Sequence, residues 1–181
     1  MKFIILDLEA TCWDQWSKRQ NETIEIGALL INENKEIESE YNRFIKPIRF
    51  PILSEFCKDL TSIKQSDIDS AANYFEVIED FKKWFECDAG DYVLCSWGFY
   101  DRKQFESDCD LSNLDKKWVE KHISLKHQYQ KIKKLKRAIG MKNALKNEKF
   151  DLDGTHHRGI DDARNIAKIF LKYFEEWDFS F

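Results

Sequence analysis

Residues Phe3 to Glu9 form a short apolar run that ends in two acids, Asp7 and Glu9, two positions apart. Such a run reads as a strand, and a strand turns alternate side chains to opposite faces. Ile5, Asp7 and Glu9 therefore share one side, and Ile4, Leu6 and Leu8 the other. The α-carbons of the two acids are then about 6.6 Å apart, at about 3.3 Å per residue. A run this apolar belongs in the middle of a sheet, so its acidic end is partly buried. Burial of carboxylates without a counter-charge costs several kcal/mol, and the strand itself offers no cation. A divalent ion such as Mg²⁺, which prefers carboxylate oxygen, is the natural occupant.

Further along, Glu25 to Ile31 is a second apolar run, preceded by a polar loop from Thr11 to Asn21. Asn32-Glu33-Asn34-Lys35 reads as a hairpin turn into a third strand, Glu36 to Ile45, closed by Lys46-Pro47. The period then changes. Ala71, Phe75, Ile78 and Phe85 fall on helical spacing, with Tyr74, Val77, Phe81 and Trp84 widening the apolar face. Tyr92 to Trp97 suits a buried strand, and Asp101 opens another helical stretch. Ile123 to Leu125 reads as a short fifth strand ahead of a basic helix around Gln130 to Ile139, which Gly140 would end. A last helix, about Asp161 to Phe174, carries an apolar stripe of Ile160, Ala163, Ala167, Phe170 and Phe174. A meander followed by alternating helices and strands predicts an α/β fold: one mixed sheet covered by helices.

With 181 residues, 43% apolar and 14% aromatic, the chain is expected to form a single packed domain over 1–181. Strand-like sequence by Phe3 leaves no room for a secretory signal, and no apolar run reaches membrane-spanning length. Five scattered cysteines without a CxxC pair read as free thiols, which places the chain in the cytoplasm. The net charge of −4 hides an asymmetry. From Lys116 to Lys149 there are twelve Lys or Arg against two acids, while the remainder is strongly acidic. A solvated helix face and a polyanionic ligand explain that run equally well.

Acids and histidines also gather at element ends: Asp7 and Glu9, Asp101, and the cluster His156-His157-Arg158-Gly159-Ile160-Asp161-Asp162. For Asp161, capping of the last helix is the better reading. Arg158 suits a phosphate contact or a surface salt bridge. Taken in order, Asp7-Leu8-Glu9-Ala10-Thr11, Asp101 after a strand, and His157 five residues ahead of Asp162 resemble the DEDDh 3′→5′ exonucleases. Several segments resemble the histone-mRNA exonuclease and KapD-like branch of that family. They are Glu9-Ala10-Thr11-Cys12, Ile24-Glu25-Ile26-Gly27, Leu53-Ser54-Glu55-Phe56-Cys57, Leu60-Thr61-Ser62-Ile63-Lys64-Gln65, Ser96-Trp97 and His157-Arg158-Gly159-Ile160-Asp161-Asp162. The likeness runs from Phe3 to Phe174. At Ser62 the branch often has glycine, which predicts a local difference in a turn and no loss of chemistry.

The resemblance implies an RNase H-like fold, a five-stranded mixed sheet whose second strand is antiparallel to the others. It implies two divalent cations, Mg²⁺ or Mn²⁺, bridged by Asp7, with Glu9 and Asp162 completing the first site and Asp101 supporting the second directly or through water. His157, favoured over His156, would take a proton from the attacking water. Glu9, Ala10, Thr11 and His157 would meet the terminal nucleotide, with Ala10 and Thr11 bringing backbone close to its sugar. The physics agrees with this arrangement. Two cations about 3.5–4 Å apart activate water and stabilise the leaving oxygen of a phosphodiester, and four carboxylates balance their charge. An imidazole with an ordinary pKa of about 6.5 accepts a proton at neutral pH. The expected activity is hydrolysis at single-stranded nucleic-acid 3′ ends, RNA favoured over DNA, releasing nucleoside 5′-monophosphates. A non-catalytic nucleic-acid-binding module that keeps the fold is the alternative. Trp13, Trp16, Trp97 and Phe99 lie near the expected site loops as candidates for base stacking, with packing favoured for Trp97.

Overall fold

In the computed structural model, described over residues 1–15 and 19–180, five strands form one sheet in the order β3-β2-β1-β4-β5. They are β1 (Lys2–Ala10), β2 (Thr23–Ile31), β3 (Ile37–Phe44), β4 (Tyr92–Ser96) and β5 (His122–Ser124). β2 runs antiparallel to β1 and β3, while β1, β4 and β5 run parallel, so the second strand alone is reversed, as expected. Asn32 makes the β2–β3 turn: its side-chain oxygen accepts from the amides of Asn34 and Glu36, and Lys35 takes the left-handed conformation. Among the described residues seven α-helices flank the sheet: α1 (Glu55–Thr61), α2 (Gln65–Asp69), α3 (Tyr74–Trp84), α4 (Tyr100–Leu111), α5 (Leu125–Ile132), α6 (Met141–Glu148) and α7 (Gly159–Lys172).

Both faces of β1 are covered, which is why its sequence is apolar at alternate and intervening positions alike. Phe3 and Ile5 pack with α5, α6 and α7 through Tyr129, Leu145, Ala163, Ile166 and Phe170. Ile4, Leu6 and Leu8 pack on the other face with α3 and α4 through Val77, Ile78, Phe81 and Phe105. Asp7 and Glu9 thus point to the α7 side. The buried face of α3 is Tyr74, Val77, Ile78 and Phe81, continued by Phe85; Phe75, placed in the stripe by spacing, is 55% exposed. Among the described residues no helix is long and apolar enough to cross a membrane.

The basic segment departs from expectation. α5 stops at Ile132, and a turn with Lys134 in the left-handed conformation closes it as Leu135 N–H donates to Gln130 O. Gly140 does not end that helix; it caps the start of α6. Ile132, Leu135 and Ile139 keep a helical spacing and pack on the core, but Lys131, Lys133, Lys134, Lys136 and Arg137 crowd like charges along the segment, which weakens a helix through Ile139. Ser62 caps the C-terminus of α1 at φ 59°, the conformation that favours glycine, and its amide donates to Lys58 O. Ser62 thus holds a conformation that suits glycine, at a strain of about 1 kcal/mol.

Candidate active site

Parallel pairing of Ile5 with Cys95 sets the end of β4 beside the acidic end of β1. The chain then turns through Gly98, at φ 140°, and enters α4, whose second residue is Asp101. Asp101 is buried, and its Oδ1 accepts a hydrogen bond of 3.1 Å from the amide of Leu8, between the two β1 acids. Nearby, the Ser96 hydroxyl donates to Gly98 O at 3.1 Å and lies 2.9 Å from Nε2 of buried His122.

The first turn of α7 is pressed onto β1 and β2 by two glycines. A Cβ on Gly27 would stand 2.0 Å from the carbonyl carbon of Gly159, and one on Gly159 would stand 3.0 Å from the backbone oxygen of Asp7. This close approach delivers Asp162, which is buried one turn into α7. Asp7, Glu9 and Asp162 offer carboxylate oxygens that all lie within 4.8 Å of one another. Asp162 is held by the amide of His157 at 3.0 Å and by Nδ1 of His156 at 3.0–3.1 Å. His157 takes φ 67°, uncommon for a residue with a side chain, and its ring stacks on that of His156 at 4.0 Å. Imidazole nitrogens of both histidines come within 4.8 Å of the Asp162 carboxylate and of each other, so the pair borders the acids.

Electrostatically the cluster is unsatisfied. Burial raises the pKa of Asp7 well above the carboxylate range, and the nearby charges that raise it further belong to Asp101, Glu9, Asp162 and Glu25. Asp7 still meets some solvent, so the crowding acids open to the surface. Glu9 is pushed up to about 8, first by burial and then by Asp162 and Glu25. Asp101 is raised by burial, an effect opposed by the bond from Leu8. Three carboxylates this close, with Asp7 and Glu9 raised by desolvation and repulsion, are what a hard divalent cation would relieve. The donor set fits such an ion. Burial, and then the neighbouring His156, lower the pKa of His157, which keeps its ring neutral near pH 7.

Glu25 was visible in sequence only as part of a motif. It is fully buried, opposite Glu9 across the β1–β2 ladder, and accepts from Arg158 at 3.1 and 3.2 Å and from the amide of Gly159 at 3.0 Å. Arg158 pairs with a buried acid in place of a surface partner: it neutralises Glu25 and ties the start of α7 to β2. A charged residue inside an apolar strand was the signal for such a partner. Asp161 does not cap α7. Its carboxylate accepts from the amide of Thr155 and pairs with Arg164. Ala10 and Thr11 are nearly buried beside Glu9, and the amide and hydroxyl of Thr11 are both engaged with Glu22.

Of the candidate stacking rings, Trp97 packs on Tyr129 and donates to Ile139 O, Trp13 packs edge-on against Phe50 beneath Arg19, and Phe99 is exposed and stacks on His127. Trp16 lies outside the described residues. A cavity of about 490 Å³ opens beside β5, lined by Phe99, Arg102, His122, His127 and Lys131, and no acid of the cluster lines it.

A profile described as exonuclease, RNase_T, matches residues 4–170. The chain belongs to this exonuclease family. Its fold is similar to the crystallographic nuclease domain of 3'hExo, a DEDDh family member bound to rAMP. That likeness has a TM-score of 0.91 and 29% identity, covering 97% of this chain and 92% of that one. It is also similar to a 3'-exonuclease whose structure concerns 3'-end recognition of the histone mRNA stem-loop, with TM-score 0.89 and 27% identity over 97% of this chain and 64% of that one. Among curated proteins it is 29% identical to ERI1 exoribonuclease 2 of Xenopus laevis, over 92% of this chain and 27% of that protein. It is 31% identical to 3'-5' exoribonuclease 1 of Homo sapiens, over 95% of this chain and 52% of that protein. The chain thus spans between about a quarter and a half of the length of these relatives. The RNase H-like, DEDDh reading of the sequence holds for the fold, and enzymes of this family generally use divalent metals.

Proposed function

We propose that this chain is a metal-dependent 3′→5′ exonuclease acting on single-stranded 3′ ends, RNA in preference to DNA, and releasing nucleoside 5′-monophosphates. The observation that carries the reading is the meeting of Asp7, Glu9 and Asp162, from opposite ends of the chain, within 4.8 Å. Asp7, Glu9, Asp101 and Asp162 would hold two divalent cations, Mg²⁺ or Mn²⁺, which when bound supply Lewis acidity to the attacking water, the phosphate and the leaving 3′ oxygen.

The protein's own residues supply the rest. Asp7 neighbours both Asp101 and the Glu9–Asp162 pair, the position required of a shared ligand. His157 accepts the water's proton at an imidazole nitrogen; its depressed pKa keeps that nitrogen unprotonated at neutral pH. Ala10 and Thr11, fixed by the bonds between Thr11 and Glu22, give the terminal sugar a rigid surface beside Glu9. Arg158 and Glu25 hold the α7 start so that Asp162 and His157 keep their places. Preference for RNA is supported by the relatives being exoribonucleases.

The test uses RNA and DNA labelled at either end, with and without Mn²⁺. A 3′ label should appear at once in mononucleotide, while 5′-labelled RNA shortens stepwise, faster than DNA of the same sequence. Degradation that continues in EDTA or in Glu9→Gln would defeat the assignment, as would turnover confined to mononucleotides.

A further inference from the structure

β1, β4 and β5 run parallel, so Ala10, Ser96 and Ser124 end on one edge of the sheet. Ligands of such sheets settle outside the carboxyl ends of the strands. The acids occupy the β1 end of that edge. The cavity of about 490 Å³ lies at the β5 end, within the roughly 300–1,000 Å³ of small-molecule pockets. The start of α4 links the two places, because Phe99 and Arg102 line the cavity and flank Asp101 in the chain. Phe99 is 44% exposed and belongs to none of the apolar clusters; its ring stacks on His127 at 5.0 Å and stands 5.9 Å from His122. His122 is buried, and its Nδ1 is an enclosed nitrogen without a hydrogen-bond partner among the described residues. Such atoms are rare in native interiors, and this one marks a wall that the fold does not complete by itself.

The charges on the cavity wall identify the class of guest. Arg102 and Lys131 face a rim that also carries Glu176 and Asp178, so a bare anion gains little there. Arg102 gives its Nε to Glu106 and keeps its terminal nitrogens unbonded among the described residues. A flat heterocycle with donor and acceptor edges, joined to a phosphate, uses every part of the wall. Its ring lies on Phe99 and His127, its amino groups meet the acids, and its phosphate meets Arg102 or Lys131. We propose that the cavity is a second nucleotide subsite, which takes a nucleotide of the single strand internal to the scissile bond. The proposal rests on the exonuclease reading of the acids and extends it along the strand.

Two observations favour a strand over a free mononucleotide, which has the same chemistry. Phe99 and Arg102 adjoin a cluster acid, so a chain held at the acids has a direct way into the cavity. Beyond Lys131 the sequence continues into Lys134, Lys136 and Arg137, cations that suit the further phosphates of a polymer and have no use for a single nucleotide. Stacking on an aromatic ring tolerates any base, because every base has a π-face. Binding of this kind is equal in ground and transition states, so it lowers KM for strands that reach the cavity and leaves kcat alone.

The experiment places 5-iodouridine at one position at a time in a short RNA, irradiates it with the protein in EDTA, where the strand stays whole, and maps the cross-linked peptides by mass spectrometry. The expected result is a cross-link to Phe99 or His127 from an internal position, and none from 5-iodouridine 5′-monophosphate at the same concentration. An equal yield from the mononucleotide, or no cross-link at these residues from any internal position, would overturn the proposal. Kinetics in Mn²⁺ supply the second reading. Phe99→Ala should raise KM about tenfold for a strand of about ten nucleotides, with kcat unchanged, and should alter neither constant for a dinucleotide. Lys131→Ala, on α5 and remote from Asp101 in the chain, should act in the same direction, and Phe99→Tyr, which keeps the ring, should restore KM. Equal effects of Phe99→Ala on dinucleotide and longer strand would overturn the subsite. A cross-link at Phe99 in a protein that hydrolyses no strand would fail the exonuclease reading and leave the nucleotide subsite standing.

Discussion

Two groups of buried acids in this protein are treated in opposite ways. Glu148, at the end of α6, accepts from the Tyr129 hydroxyl at 2.6 Å, from Lys133 at 3.2 Å and from Lys172 at 2.7 Å. Burial pushes its pKa up, but hydrogen bonds from Lys172, Tyr129, Tyr173 and Lys133 outweigh it and bring the group down to about 2. At the end of β1, Asp7 and Glu9 sit among other acids and are raised, Glu9 to about 8. One acid has been given its cations by the fold; the others face one another. Structural carboxylates are neutralised by the chain, whereas carboxylates left in mutual repulsion are kept for a ligand that brings positive charge. Glu25 marks the boundary: it stands opposite Glu9 but has Arg158, and so belongs with Glu148.

Parallel substitutions separate the two kinds of acid most sharply. Glu9→Gln should lower the hydrolysis rate by about 10³-fold or more, with the fold retained in a thermal melt. Glu148→Gln should do the reverse, leaving the rate per folded molecule near wild type. It should cost roughly 3 kcal/mol in urea denaturation, because two lysines lose their partner. The histidines come next. His157→Ala should reduce turnover by about 10²-fold, in the range for loss of a general base, and His156→Ala by much less, with Mn²⁺ affinity changed little by the first. Equal losses would assign the proton to the wrong ring.

The pH dependence of stability has opposite signs at the two places. In EDTA, Glu9 binds a proton more tightly in the fold than in the unfolded chain, between its ordinary 4.5 and about 8. Stability should therefore fall by a few kcal/mol as pH rises through that window, and Glu9→Gln should flatten the fall. The contribution of Glu148 is fully present above 4.5 and is lost as pH drops towards about 2. Urea midpoints from pH 2 to 9 read both. The smallest effect is at Ser62, away from either group: Ser62→Gly should raise stability by about 0.5–1 kcal/mol by relieving the left-handed φ of 59°.

How much of this was legible in the sequence follows the same division. β1, β2 and β4 announce themselves as apolar runs, and their acidic or polar ends point to where a site forms. Asp7, Glu9, Asp101, His157 and Asp162 were visible as acids and a histidine at element ends, ordered as in a known family. The Arg158–Glu25 pair was not, because its members are 133 residues apart and only the close packing of Gly27 on Gly159 brings them together. The end of α5 was misplaced because Ile132, Leu135 and Ile139 keep a helical period past its true end, so a glycine was given the stop that Lys134 makes. α1 and α2 escaped notice as helices because they span seven and five residues, too short to show a stripe.

The most direct test is calorimetric titration of Mn²⁺ into the protein at pH 7 in two buffers of different ionisation enthalpy. With Glu9 raised to about 8 and Asp7 raised well above its ordinary range, binding has to expel protons from the acids. The expected result is Mn²⁺ binding with net proton release that shrinks as pH approaches 9 and is largely lost in Glu9→Gln. Binding without proton release, or heats that Glu9→Gln leaves unchanged, would contradict a metal site built from these carboxylates.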